Sequence, residues 1–338
     1  MRLFERFSRH LKQHPFHPPW YLRGAHLQTV IGSQLQRRFP PPHPPRRSED
    51  VEIAPGVAVR TTQVLQERPA PAIIVLHGMT GSEESGYMQG LSRKAWARGW
   101  SCLLPNLYNV HPRPPRPVIF HAASSDLVEK LLRALKHKHH LEEVYLAGVS
   151  LGANLLLKLL GEWGEQTPEW VRAAAVASPL TDLSQSWQLM ERASNRIYQI
   201  YFVNRLKNIA RNRAGYFNGH VDLDKLARIR TIRDFDNVCT AVVGGWRDAF
   251  EYYQEASSVK VVNRIRVPTA VLHAEDDPFL PSEPLTRPAF RDNRSICVHF
   301  TRRGGHLGFI QAPNDLDPDR HWEESRILHF FNLVHGQS

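Results

Sequence analysis

From about residue 50 onward, hydrophobic positions alternate between short unbroken runs and longer stretches where apolar side chains return every three or four residues. The runs Ala72–Leu76, Ser101–Leu104, Val144–Ala147, Ala173–Ala177, Thr269–His273 and Ile296–Phe300 predict buried strands. The helical periodicity falls around Ser124–Leu135, Asn154–Trp163 and Trp322–Val334. Strands and helices in turn predict an α/β architecture with a mostly parallel central sheet flanked by helices. One interval breaks the rhythm. Between Ala177 and Thr269 lies a long region, helix-biased and rich in Arg, Lys and aromatic residues, which reads as a helical cap across about residues 180–263.

The first 48 residues read differently and predict an N-terminal extension ahead of a domain covering 49–338. Over residues 1–12, Leu3, Phe4, Phe7 and Leu11 share one helical face while Arg2, Arg6 and Arg9 share another. This amphipathic helix is expected to dock on the domain, with a peripheral membrane contact as its other possible use. The tract Pro40-Pro41-Pro42-His43-Pro44-Pro45 reads as a stiff connector.

Composition narrows the class. With 42% hydrophobic and 22% charged residues and no long apolar run, the 338-residue chain has no candidate bilayer-spanning helix. Charge recurs early at Arg2, Glu5, Arg6, Arg9 and Lys12, leaving no room for the apolar core of a secretory signal, so a cytoplasmic location is expected. Three widely spaced cysteines, Cys102, Cys239 and Cys297, suit neither a disulfide framework nor a zinc site. The 43 basic and 33 acidic residues give a net charge of +10, which favours anionic partners. No nucleic-acid-binding module accompanies that charge. The cluster Lys136-His137-Lys138-His139-His140 reads as a solvated helix end, and neither a metal nor an organic cofactor is expected.

Candidate chemistry centres on Gly148-Val149-Ser150-Leu151-Gly152. The pentapeptide alone is a weak signal, but here it follows a predicted strand and opens a predicted helix. That is the setting of a nucleophile elbow, in which a serine sits on a strained turn and the glycines relieve crowding. A serine hydroxyl attacks only when a base takes its proton, and in elbow-type sheets the partners follow in the order acid, then histidine. After the Thr269–His273 strand stands Ala274-Glu275-Asp276-Asp277-Pro278, where Asp277 is the expected acid and Asp276 the reserve. After Ile296–Phe300 comes Arg303-Gly304-Gly305-His306-Leu307-Gly308, where His306 is the expected base. His77, His273 and His299 lie in or at the ends of strands and read as structural. An oxyanion hole requires two backbone N–H donors, and the expected pair is Leu151, after the serine, and Met79 in His77-Gly78-Met79-Thr80-Gly81.

With these residues in view the chain resembles the YheT-like α/β-hydrolases, a family that includes the ABHD1/ABHD3-type proteins. The resemblance rests on His26-Leu27-Gln28-Thr29, Leu76-His77-Gly78-Met79-Thr80-Gly81-Ser82, the stretch Gly148–Lys158, Asp234-Phe235-Asp236, Arg266-Val267-Pro268-Thr269, Asp276-Asp277-Pro278-Phe279-Leu280-Pro281 and Gly305-His306-Leu307-Gly308-Phe309. It implies an α/β-hydrolase fold and cleavage of carboxylic esters, with acyl lipids or medium-chain esters as substrates. The chain departs from the family at Pro105–Pro115, read as a loop beside the site, so substrate choice transfers least.

The expected reaction is ester hydrolysis through an acyl-enzyme on Ser150. Acyl transfer to an alcohol is an alternative that uses the same three residues, and a non-catalytic ligand-binding protein on this scaffold is a third. The cap cations Arg205, Lys207, Arg211, Arg213 and Arg228 are candidates for attracting an anionic headgroup. Oligomeric state is not legible in the chain.

Overall fold

The computed structural model describes residues 2–35, 43–111, 120–212, 217 and 219–336. Its element order is α1 (Arg2–Gln13), α2 (Ala25–Gln34), β1 (Arg47–Ala54), β2 (Val57–Val64), β3 (Ala72–Leu76), α3 (Gly86–Trp96), β4 (Ser101–His111), α4 (Ser125–Lys138), β5 (Val144–Val149), α5 (Leu151–Trp163) and β6 (Val171–Ala177). Helices α6 (Leu183–Met190), α7 (Arg196–Asn212), α8 (Leu223–Arg228), α9 (Ile232–Phe235), α10 (Ala241–Gly244) and α11 (Ala249–Ala256) follow. The chain ends with β7 (Thr269–Ala274), α12 (Pro288–Arg291), β8 (Ile296–Thr301) and α13 (Trp322–His335).

The strands form one sheet in the order β1-β2-β4-β3-β5-β6-β7-β8. β1 and β2 run antiparallel, as do β2 and β4, and every pairing from β4 to β8 is parallel. All five residues of β3 are buried because both faces of a parallel sheet are covered by helices. Ile74 and Leu76 face a cluster that includes Val128 and Leu132 of α4 and Leu156 of α5. Ile73 and Val75 face the opposite cluster, with Met88 of α3 and Phe330 and Phe331 of α13. The two-residue alternation of the strand thus assigns neighbouring side chains to opposite layers.

Three differences from the sequence reading stand out. The hairpin of β1 and β2 went unrecognised, as did α2 and α3. The segment Pro105–His111, read as a loop, instead continues β4 along β2. Its antiparallel partner supplies the reason: Val59 pairs with Val110 and Thr61 with Pro105, and the register shift between them absorbs the intervening residues. Pro105 donates no ladder hydrogen bond, and a register shift is where a strand tolerates that. Residues 40–42 of the proline tract, and residues 112–115 of the departing segment, lie outside the described residues.

Helix α1 docks on α13. Phe7 and Leu11 are buried, and the Phe7 ring lies 5.0 Å from that of Phe330, so the apolar face is covered while Arg2, Arg6 and Arg9 remain at the surface. Among the described residues, no helix is long and apolar enough to cross a membrane. Between β6 and β7 the helices α6 to α11 gather over the sheet, with a small core of their own from Leu206, Phe217, Leu226 and Phe235. Asn154, fully buried on α5, ties them to the layer beneath: its amide donates to the carbonyls of Ala122 and Ala256, and its oxygen accepts from Ser258 N–H.

Candidate active site

Strand β5 ends at Val149, and α5 begins at Leu151, so Ser150 must reverse the chain in a single residue. It does so with φ 52° and ψ −115°, a conformation that costs on the order of 1–3 kcal/mol for a non-glycine residue and is held by its surroundings. Ser150 N–H donates to Ala177 O at 3.0 Å, and Ser150 O accepts from Leu180 N–H and Asn154 N–H. The two glycines of the motif are required by close approach. A Cβ at Gly152 would run into the carbonyl oxygens of Leu76 and His77, and one at Gly148 would press on the Gly152 carbonyl.

His306 and Asp277 reach Ser150 from the loops after β8 and β7. His306 Nε2 lies 3.1 Å from Ser150 Oγ, and His306 Nδ1 lies 2.8 Å from Asp277 Oδ2. A carboxylate can only accept, so Nδ1 carries the proton and Nε2 is left to accept from the serine hydroxyl. Asp277 is fixed on its other oxygen by Phe279 N–H at 2.8 Å and Leu280 N–H at 3.1 Å. Burial raises its carboxyl, but the neighbouring His306, by charge and hydrogen bond, leaves it below the usual carboxylate value. Asp276 acts elsewhere. Its Oδ1 accepts from Gly305 N–H at 2.8 Å, bracing the histidine loop, and burial pushes its carboxyl up.

The amide expected of Leu151 is at the first position of α5, where a backbone N–H has no partner within the helix and the dipole favours developing negative charge. Met79 sits in a turn closed by Gly81 N–H donating to Gly78 O, and both Met79 and Leu151 line the cavity beside Ser150. Tyr87 and His77 set the turn's position. Gly78 N–H donates to Tyr87 Oη at 3.0 Å, the His77 ring donates from Nδ1 to Gly78 O, and Leu107 N–H donates to its Nε2. Burial pushes the His77 imidazole down to about 4, so it stays neutral.

Several contributors were not singled out from the sequence. Gln28 and Thr29 of α2 hold the histidine loop from below: Thr29 Oγ1 accepts from His306 N–H at 2.9 Å, while Gln28 both donates to Ile310 O and accepts from Ile310 N–H. The pattern His26–Thr29 was the only trace of them. Arg205 and Lys207, candidates for attracting an anionic headgroup, each also make a contact within the protein: the Arg205 guanidinium donates to Thr80 O at 3.1 Å and the Lys207 ammonium to Ala227 O. Arg213 lies outside the described residues.

Above Ser150 opens a cavity of about 500 Å³ with a largely apolar wall, to which Trp187, Met190, Phe202, Leu206, Phe217 and Phe235 contribute. Asp236 interrupts that wall with a buried carboxyl. It stands on a single π-helical stretch, Asp236–Thr240, and accepts from Thr240 Oγ1 and Tyr253 Oη, each at 2.8 Å. Burial pushes it up to about 6 from 3.8, against the pull of those two donors. Because the folded state holds this proton more tightly than an unfolded chain does, stability is full at low pH and falls as pH rises through about 6. Asp236→Asn cannot ionise. Between about pH 4 and pH 8 it should gain roughly 3 kcal/mol relative to the parent in urea unfolding, two pH units at 1.36 kcal/mol each. A difference that does not change with pH would contradict a carboxyl whose ionisation burial opposes.

Among the described residues, no group of three His, Cys, Asp or Glu side chains is placed to hold a metal ion.

Comparison with known proteins agrees with the fold. The alpha/beta hydrolase fold family matches residues 71–313. YheT of Escherichia coli K12, a provisionally named esterase, is 34% identical over 312 residues, spanning 90% of this chain and 89% of its own length. The mouse phospholipase ABHD3 is 27% identical over 327 residues, spanning 91% and 78%. Among solved structures, 2,6-dihydroxy-pseudo-oxynicotine hydrolase superposes with a TM-score of 0.57 at 14% identity, over 93% of this chain and 73% of that one. A Pyrococcus furiosus esterase gives 0.54 at 13% identity, over 86% and 91%. Likenesses at such low identity concern the fold alone.

Proposed function

The chain belongs to the α/β-hydrolase family, and from that premise we propose that it is a serine esterase that cleaves small-molecule or lipid-like acyl esters through an acyl-enzyme on Ser150. The observation that carries this is the unbroken relay Ser150 Oγ, His306 Nε2, His306 Nδ1, Asp277 Oδ2, opening on a cavity whose wall is mostly apolar. The names of the esterase and phospholipase relatives support it.

In the proposed reaction the Ser150 hydroxyl attacks the ester carbonyl as His306 takes its proton. The Leu151 and Met79 amides face the developing oxyanion, and each such donor contributes about 3–4 kcal/mol to transition-state binding. His306 then returns the proton to the departing alcohol, Asp277 meanwhile steadying the imidazolium. Water repeats the sequence and frees the acid. The apolar wall offers an acyl chain a place out of water.

A panel of p-nitrophenyl esters from acetyl to lauroyl tests this reading. Each added methylene buried in the wall contributes about 0.8 kcal/mol, so kcat/KM should climb roughly fourfold per methylene until the cavity is full. A profile flat in chain length would remove the acyl-lipid part of the reading. Failure of a fluorophosphonate to label Ser150 would remove the serine mechanism. Adding a short alcohol gives a third measurement: free acid should remain the main product, whereas mostly new ester would make the protein an acyltransferase.

A further inference from the structure

Large apolar side chains stand exposed on two helices at the cavity mouth. On α2, Leu27 and Val30 lie one turn apart and are each about two-fifths exposed. On α7, Ile197 is 79% exposed, and Ile200 and Tyr201 about half. The turn just before α2 adds Trp20, also 79% exposed. Val30, Ile197 and Tyr201 belong at once to this surface and to the cavity lining, so the exposed apolar residues adjoin the apolar interior. The two helices meet where the rings of His26 and Tyr198 lie nearly parallel, with Tyr198 Oη 3.1 Å from His26 Nδ1.

The charged side chains on these two helices and the turn before α2 have one sign. Neither α2 nor α7 contains an Asp or Glu, while Arg23 beside α2, and Arg196 and Arg211 in α7, are exposed. Large apolar side chains gathered at the surface in this way mark a contact site. Apolar residues fringed by cations suit a partner with an apolar interior beneath an anionic surface.

We propose that the rim formed by α2 and α7 docks on an anionic lipid bilayer, with Leu27, Val30, Ile197 and Ile200 entering the acyl region and the arginines meeting the headgroups. An acyl chain leaving the bilayer would then pass between the two helices into the cavity without crossing water. Docking stands on the surface alone; the delivery of substrate rests on the esterase reading. The surface differs from the amphipathic α1, whose apolar face is already covered by α13.

The test is co-sedimentation of the full chain with phosphatidylcholine vesicles, with and without phosphatidylglycerol. The expected result is binding that requires the anionic lipid and weakens with added salt. The variant Leu27→Glu/Ile200→Glu alters residues outside the cavity lining. It should bind at least about tenfold more weakly, since it places two anions where apolar contact was needed, while hydrolysing soluble p-nitrophenyl acetate at the parental rate. That soluble assay also reports that the variant is folded. Arg2→Glu/Arg6→Glu on α1 should bind like the parent. The proposal is overturned if the parent does not sediment with anionic vesicles, if the rim variant binds as well as the parent, or if only the α1 variant loses binding. Binding by a protein that hydrolyses no ester would sustain docking and remove the esterase reading.

Discussion

Ser150→Ala should lower kcat on a soluble ester by on the order of a million-fold, with KM little changed. Removing the attacking oxygen abolishes the covalent route and leaves only the oxyanion donors and binding, which are worth about a thousandfold over water. The alanine should tolerate the elbow as serine already does: φ of 52° is imposed by the Ala177, Leu180 and Asn154 hydrogen bonds, all made by the backbone and so retained. Steady-state turnover with equal amounts of folded protein is the measurement, and a variant keeping a tenth of the parental rate would dismiss Ser150 as nucleophile.

Asp277→Asn and Asp276→Asn should separate by several orders of magnitude although the residues are neighbours. An amide at 277 presents a donor or an acceptor where the relay needs an anion. It no longer favours the Nδ1–H tautomer or the imidazolium, so kcat should fall about ten-thousandfold. An amide at 276 still offers an oxygen to Gly305 N–H, and a loss within about tenfold is expected for a bracing hydrogen bond kept in weaker form. Were the larger loss to fall on position 276, the acid would have to be reassigned.

The centre of the parallel half, β3 and β5 to β7, was legible because its strands are covered on both faces and read as nearly unbroken apolar runs, while the partly exposed edge strand β8 was legible from Ile296, Val298 and Phe300. So was each loop that places Ser150, Asp277 and His306, since each follows such a run and carries Gly or Pro. What escaped did so for identifiable reasons. β1 starts Arg47-Ser48-Glu49-Asp50, an exposed edge whose charges hide its period, and β2 could be inferred only through its pairing. Helix α3 is masked by its own interior: Lys94 is buried, with its ammonium 2.9 Å from Asp319 and 3.0 Å from Glu324, so a charged position lies where an apolar one would be sought. The role of Gln28 and Thr29 could not be read along the chain, because the loop they hold is some 280 residues away and only the fold brings it near.

That last contact governs when the protein could begin to work. Gly32 packs so closely on Gly308 that a Cβ would meet its backbone, and Gln28 grips Ile310 from both sides. Residues 25–34 are synthesised some 270 positions ahead of residues 304–310. The imidazole therefore gains its footing only once synthesis has passed residue 310, and a shorter nascent chain has no supported ring beside Ser150.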